Sequence, residues 1–279
     1  MRIIKVSEIT KKVESMLLDA CENIPQNVLE RLIAAKNNEK SPLGQDVIDR
    51  IIKNDLLARE KHLPICQDTG VVVCFLEVGY DVHFDGDIYE AINEGVANAY
   101  VNGYLRKSVV KHPLDRVNTK NNTPAIVHVK LVPGDKVKID VAPKGGGSEN
   151  MSLVKMLIPA DGVEGVKKLV LDTVFNGGGK PCPPIIVGIG LGGNLEKSAL
   201  MAKESLMREI DDINPDPILA NLEQELLKEI NDLGVGPMGF GGTQTCLAVK
   251  VNAYPCHIAS LPVAINIQCH ASRHKSCIL

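Results

Sequence analysis

Three of the chain's eight cysteines stand in loops dense in Gly, Pro and polar residues, far apart in sequence. They are Cys66 in Pro64-Ile-Cys-Gln-Asp-Thr-Gly70, Cys182 in Gly177-Gly-Gly-Lys-Pro-Cys-Pro-Pro184, and Cys269 in Asn266-Ile-Gln-Cys-His-Ala-Ser-Arg273. A cysteine used only for packing prefers an apolar run, which is where Cys74 and Cys246 fall. A ligand cysteine needs a loop that can aim its sulfur. Three such loops suggest an iron–sulfur cluster with one iron lacking a protein ligand, and an open iron is a Lewis acid suited to catalysis. The same thiols could instead serve a zinc site or stand as unconnected structural groups. Zinc sites usually contain a short C-x₂₋₄-C pair, and this sequence has none. His270 and His274, near Cys269, read as satisfied polar residues rather than ligands.

The residues beside these thiols carry further chemistry. Gln67 and Asp68 follow Cys66 directly, so a carboxylate two residues from a ligand could orient substrate or pass protons. Asp68 could equally cap the turn at Thr69-Gly70. Arg106, in Gly103-Tyr-Leu-Arg-Lys-Ser108, is a candidate bidentate clamp for a carboxylate or a solvated helix-end cation. Gly188-Ile-Gly-Leu-Gly-Gly193 fits G-x-G-x-x-G between a strand and a helix, with Asp211 and Asp212 further on. The stretch after that helix, Asn214-Pro-Asp-Pro217, leads into another helix, so the βαβ unit of a dinucleotide site does not close. Gly177-Gly-Gly-Lys180 fails as a phosphate loop because Pro181 stands where Ser or Thr should follow the Lys. The glycines at 145–147, 177–179 and 236–242 suit tight turns, or a backbone that approaches a bulky inorganic group.

The elements that must hold these loops follow from periodicity. Ser7 is the expected N-cap of a helix burying Ile9, Val13, Met16, Leu17 and Ala20. Pro25 opens a second helix and Ser41-Pro42 a third. Residues 71–78 form a buried-strand pattern and 87–102 a helix. Residues 125–131 and 136–141 read as two strands joined by Pro133-Gly134-Asp135, which predicts a hairpin. Residues 162–175 are helical, 184–190 a strand, 195–210 and 218–233 helices, and 245–251 and 261–267 strands. The fold class is therefore α/β, a mixed β-sheet flanked by helices with a helical N-terminal layer. The expected organisation is a single domain over 1–279, with 1–62 as that layer and 63–279 as the cluster-binding core.

Composition narrows the functional classes. The 279 residues are 44% hydrophobic and 23% charged, ordinary for a globular protein. A net charge of −3, no basic run and few aromatics (no Trp, four Phe, five Tyr) argue against a nucleic-acid partner. The N-terminus lacks an export signal and no apolar run approaches the roughly 20 residues of a membrane span. The expected location is cytoplasmic, with thiols reduced or metal-bound rather than paired in disulfides.

Taken together, Pro-Ile-Cys-Gln-Asp-Thr-Gly, Gly-Gly-Gly-Ser-Glu-Asn, Lys-Pro-Cys-Pro-Pro and Gly-Pro-Met-Gly-Phe-Gly-Gly-Thr resemble, in order and nearly end to end, the α subunit of class I fumarate hydratases and L-tartrate dehydratases. The resemblance implies a [4Fe–4S] cluster held by Cys66, Cys182 and Cys269, with one iron open to substrate. It implies that Gln67, Asp68 and Arg106 contact a small dicarboxylate and that the backbone at Gly147 approaches it, with Asp68 and Arg106 as the catalytic pair. The implied reaction is reversible hydration of fumarate to L-malate. The alternatives are dehydration of tartrate to oxaloacetate, or iron–sulfur binding without catalysis. Cationic groups such as Arg106 would stabilise charge building on the carboxylate, and Asp68 would manage the hydroxyl-side proton. In single-chain members the base for the C–H proton comes from a second domain. The sequence ends at Leu279 without one, so the resemblance implies a separate β subunit.

Overall fold

The computed structural model describes residues 2–279. Along the chain the elements are β1 (Arg2–Ile4), α1 (Val6–Glu22), α2 (Gln26–Asn38), α3 (Pro42–Lys61), β2 (Val71–Gly79), β3 (Val82–Phe84) and α4 (Ile88–Asn102). Then come β4 (Ile126–Val132), β5 (Val137–Lys144), a short α5 (Gly146–Glu149), β6 (Leu153–Leu157), α6 (Gly162–Gly177) and β7 (Ile185–Gly192). The last are α7 (Leu195–Ser205), α8 (Pro217–Asp232), β8 (Cys246–Tyr254), β9 (Leu261–Gln268) and β10 (Lys275–Ile278). The α/β class with mixed sheets is as the sequence indicates. No helix among the described residues is long and apolar enough to cross a membrane.

The chain gathers into two compact units. The first holds residues through Ile24, Asp55–Gly146 and Arg273–Leu279; the second holds Pro25–Asn54 and Gly147–Ser272.

In the first unit a four-stranded sheet runs β10-β5-β2-β4. Strand β2 is Val-Val-Val-Cys-Phe-Leu-Glu-Val-Gly, apolar on both faces, and such a strand belongs in the middle of a sheet. It pairs in parallel with β4 and antiparallel with β5. The expected hairpin between β4 and β5 is therefore absent: β2 lies between them. The Pro133–Asp135 turn crosses the end of β2 instead, and Asp81 donates its N–H to the Gly134 carbonyl at 3.0 Å. Helix α1 buries Ile9, Val13, Met16, Leu17 and Ala20, the stripe that the spacing predicts. Its first turn is capped from a distance. Ser7 is not the N-cap; the N–H of Val6 donates to Asp85 Oδ1 at 2.8 Å. Helix α4 packs closely on α1 at Gly95, where a Cβ would sit 2.6 Å from the Thr10 carbonyl oxygen.

The second unit is built on the sheet β6-β9-β7-β8. Side chains alternate along β7. Ile185, Val187 and Ile189 enter a core with Val170 and Val174 of α6 and Leu226 and Ile230 of α8. On the opposite face Gly188 and Gly190 meet the backbone of α7, so the G-x-G-x-x-G glycines serve close packing of helix on strand. Helix α7 is shorter than its apolar pattern predicts, ending at Ser205 where 206–213 turns away.

Candidate functional site

In the first unit the Cys66 loop runs from the end of α3 to the start of β2. Cys66 and Gln67 are exposed and Asp68 is half-buried. The carboxylate of Asp68 accepts the N–H of Gly70 on Oδ1 at 3.1 Å and that of Gly146 on Oδ2 at 2.8 Å. Asp68 therefore does cap the Thr69–Gly70 turn, and it also ties that turn to the glycine run after β5. The turn needs Gly70, whose φ is +78° and where a Cβ would lie 2.6 Å from the Lys144 backbone.

Three further side chains hold this loop. Thr69 donates its hydroxyl to the Arg106 carbonyl at 2.7 Å, fixing the backbone of the residue expected to clamp a carboxylate. The fully buried Tyr100 of α4 donates to the Thr69 carbonyl. Burial pushes the Tyr100 hydroxyl well above its ordinary pKa, so it stays a donor. Asn122, also fully buried, donates to the Gly70 carbonyl at 3.0 Å and accepts from Ser108 and Val109 at 2.7 and 3.2 Å. Cys66, Gln67, Asp68 and Arg106 are thus gathered on two loops braced by one network. Sequence reasoning passed over Thr69, Tyr100 and Asn122. The only signal was that Asn122 follows another Asn before Thr-Pro, a polar stretch typical of turns.

In the second unit Cys182 sits at φ +58° in the turn after α6, and its N–H donates to the Gly179 carbonyl at 3.1 Å. Cys269 follows β9. The two loops are joined by His270, whose Nδ1 is 3.1 Å from the Cys182 carbonyl oxygen, so this histidine is satisfied as expected. Gly147 opens toward the same turn, since a Cβ there would be 3.5 Å from the Lys180 carbonyl oxygen. The loop containing Gly236–Thr243 backs Cys182: Met238 donates its N–H to the Pro183 carbonyl at 2.8 Å, and a Cβ on Gly179 would meet Met238 at 2.7 Å. At its far end this loop closes on Glu39, a carboxylate 2% exposed. Glu39 accepts N–H bonds from Ser41, Thr243 and Gln244, each at 2.8 Å. Burial alone would raise the Glu39 pKa, but these backbone donors outweigh it and hold the carboxyl below its ordinary range.

The donor set suits an anionic iron–sulfur group. Cys66 is exposed and Cys182 and Cys269 are half-exposed. The thiols of Cys21, Cys74 and Cys246 are buried, and burial pushes them up to about 11, 12 and 12, poor values for a thiolate ligand. Beside Asp68 lies Arg273, 3% exposed, with Nε and Nη1 lacking any hydrogen-bond partner. A Cβ on Gly145 would stand 3.0 Å from Asp68 Oδ2 and 3.5 Å from Arg273 Nη2. A buried cation with orphaned donors favours negative charge nearby. Among the described residues no three His, Cys, Asp or Glu side chains meet as a single ion requires.

The family model described as Fumarate hydratase (Fumerase) matches residues 10–278. The chain belongs to that family. It is 43% identical over 276 residues to a protein of Methanocaldococcus jannaschii whose designation as an L(+)-tartrate dehydratase α subunit is provisional, covering 96% of this chain and 95% of that one. It is 30% identical over 272 residues to the L(+)-tartrate dehydratase α subunit of Escherichia coli strain UTI89, covering 96% of this chain and 89% of that one. The counterpart in strain K12 is 29% identical over 278 residues.

Proposed function

We propose that this chain is the α subunit of an iron–sulfur hydro-lyase that removes water from a small hydroxy-dicarboxylate, with L(+)-tartrate as the first substrate reading. The observation that carries it is the braced pair of loops in the first unit, which presents a thiol, an amide and an oriented carboxylate, with the backbone of Arg106 tied to the same turn. The relatives' names support tartrate. The family's description supports hydration of fumarate as the second reading.

Cys66, Cys182 and Cys269 are the residues that would hold a [4Fe–4S] cluster. When bound, such a cluster supplies a Lewis-acid centre for the departing hydroxyl. The remaining work falls to the chain's own groups. Arg106 offers a planar guanidinium to a substrate carboxylate, where charge accumulates as the adjacent C–H bond breaks. Asp68 holds its carboxylate in one orientation through its two backbone bonds, and its remaining lone pairs face the hydroxyl-side proton. Gln67 can donate to one substrate oxygen and accept from another, and the backbone at Gly147, which carries no side chain, can approach it. The reaction also needs a base for the C–H proton. That base is assigned to a β subunit, as the α designation of the relatives suggests.

The test is anaerobic reconstitution of the chain with its β subunit, followed by tartrate and fumarate assays and iron and sulfide analysis. About four iron and four sulfide per αβ pair, lost in Cys66→Ser, and activity only in the pair are expected. Zinc without sulfide, or full activity from this chain alone, would overturn the reading.

A further inference from the structure

Residues 103–123, between α4 and β4, form an arm that the catalytic reading leaves almost unused. It carries Arg106, Lys107, Lys111, Arg116 and Lys120 against one acid, Asp115. That is a net +4 within a chain of net −3, so the remaining residues carry −7. None of the five cations takes part in an ion pair among the described residues. Long runs of unpaired like charge are usually mobile solvated tails, but this arm has a defined shape.

Its shape comes from hydrogen bonds within the arm. Lys111 donates its N–H to the Val117 carbonyl at 2.7 Å, Thr119 donates to Val109 at 2.9 Å, and Arg116 donates to His112 at 2.9 Å. The ring Nδ1 of His112 accepts the N–H groups of Leu114 and Asp115, both at 3.2 Å. The Asn118 side chain donates to the Lys107 carbonyl at 2.9 Å. At the base, Asn122 and Thr69 pin the arm to the Cys66 loop. The tip presents apolar groups to solvent: Leu114 is 86% exposed, Val117 50%, and Tyr104 at the base 90%.

A small dianion would need only the cations. An ordered backbone with an exposed leucine at the tip, arginine near it and an exposed tyrosine at the base offers apolar anchors within a charged rim, which suits a protein surface better than a small anion. Pre-organisation lowers the ordering cost of association. We propose that this arm is the docking surface for the partner subunit, whose facing surface is acidic with an apolar recess for Leu114. The inference rests on the two-subunit reading above and goes beyond it by naming where the subunits meet. Docking there would bear directly on the loops that carry Arg106 and Cys66.

The experiment is isothermal titration of the β chain from the same source into this chain, without oxygen, at low and high salt. The variants are Leu114→Ser and the double Lys111→Glu/Arg116→Glu. Tyr80→Ser, an exposed apolar side chain elsewhere in the same unit, serves as control. Circular dichroism confirms that each variant is folded. Wild type and the control should bind alike, and more weakly in high salt. Each arm variant should lose about tenfold or more in affinity, and the charge-reversed one should lose its salt dependence. Wild-type affinity in both arm variants overturns the proposal. If binding is intact but the double variant instead raises the KM for the dicarboxylate at low salt, the arm collects substrate and the docking assignment fails. If wild type does not bind β at all, the two-subunit reading falls and takes this inference with it.

Discussion

The Asp68 carboxylate receives the Gly146 N–H at 2.8 Å on the oxygen opposite the one that receives Gly70. One side chain thereby fastens the Cys66 turn to the glycine run after β5 while keeping its charge beside the exposed thiol. A proton-handling group must be held in one orientation, and two backbone donors do that without consuming its remaining lone pairs.

Asp68→Asn separates the two duties. The amide keeps the size of the side chain but must turn an NH₂ toward one of the two backbone donors. Chain stability should fall by about 1–3 kcal/mol, as for an unsatisfied buried donor, in urea unfolding. Turnover of the reconstituted enzyme should fall by roughly 10²–10⁴, the scale of losing a general acid or base. A turnover loss no larger than the fraction unfolded would leave Asp68 as a clamp only.

Glu39 should matter to stability although it touches none of the expected site residues. Replacing it by Ala strands the N–H groups of Ser41, Thr243 and Gln244, each costing roughly 1–3 kcal/mol if left unsatisfied. The folded carboxyl titrates below the ordinary range, so its stabilisation is complete above the ordinary carboxylate pKa. It is lost as the pH falls through the depressed folded value. Wild type and Glu39→Gln should differ near neutrality and converge in acid, measured as midpoints of thermal unfolding across a pH series. Curves that stay parallel into acid would contradict the depressed pKa.

What the sequence makes legible, and what it hides, divides along a physical line. Periodicity places the long helices, because one apolar stripe such as Ile9-Val13-Leu17 leaves few other solutions. It does not show that β2 separates β4 from β5, since a hairpin and a strand-crossing turn use the same Pro-Gly-Asp residues. The short edge strands β1, β3, β6 and β10 carry too few residues for a period to register. The candidate thiols are legible from their loops. The residues that aim those loops are not: Tyr100, Asn122 and Glu39 are single polar groups, each with at least one partner 30 or more positions away.

The cysteines should separate by reactivity. Exposed Cys66 and Cys256 should alkylate fast at neutral pH in the metal-free chain, and Cys182 and Cys269 more slowly. Cys21, Cys74 and Cys246 should resist until the chain unfolds, because their thiols are buried and pushed up to about 11, 12 and 12. Iron–sulfide reconstitution should then protect Cys66, Cys182 and Cys269 together while leaving Cys256 open, read by mass spectrometry of labelled peptides. Protection of Cys256, or of only two of the three, would put the ligand set elsewhere.

The glycines of Gly188-Ile-Gly-Leu-Gly-Gly193 allow a contrast between crowding and conformation. Gly190 needs no left-handed backbone, yet an added Cβ would stand 2.0 Å from the Ser198 carbonyl oxygen and 2.8 Å from the Ala202 nitrogen. Both belong to the α7 backbone, which cannot rotate aside as a flexible side chain would, so α7 must lift from β7. Gly134 is the opposite case: φ is +108° and nothing lies within 4 Å of the added atom. Gly134→Ala should therefore cost only the backbone strain, about 1–2 kcal/mol. Gly190→Ala should cost more, at or above the roughly 1–3 kcal/mol typical of overpacking, because the sheet–helix contact opens along its length. Chemical unfolding of the two variants side by side measures both, and equal losses would mean that α7 yields more easily than its packing indicates. A dinucleotide role would place the cost in cofactor affinity instead, whereas close packing places it in the stability of the chain with nothing bound.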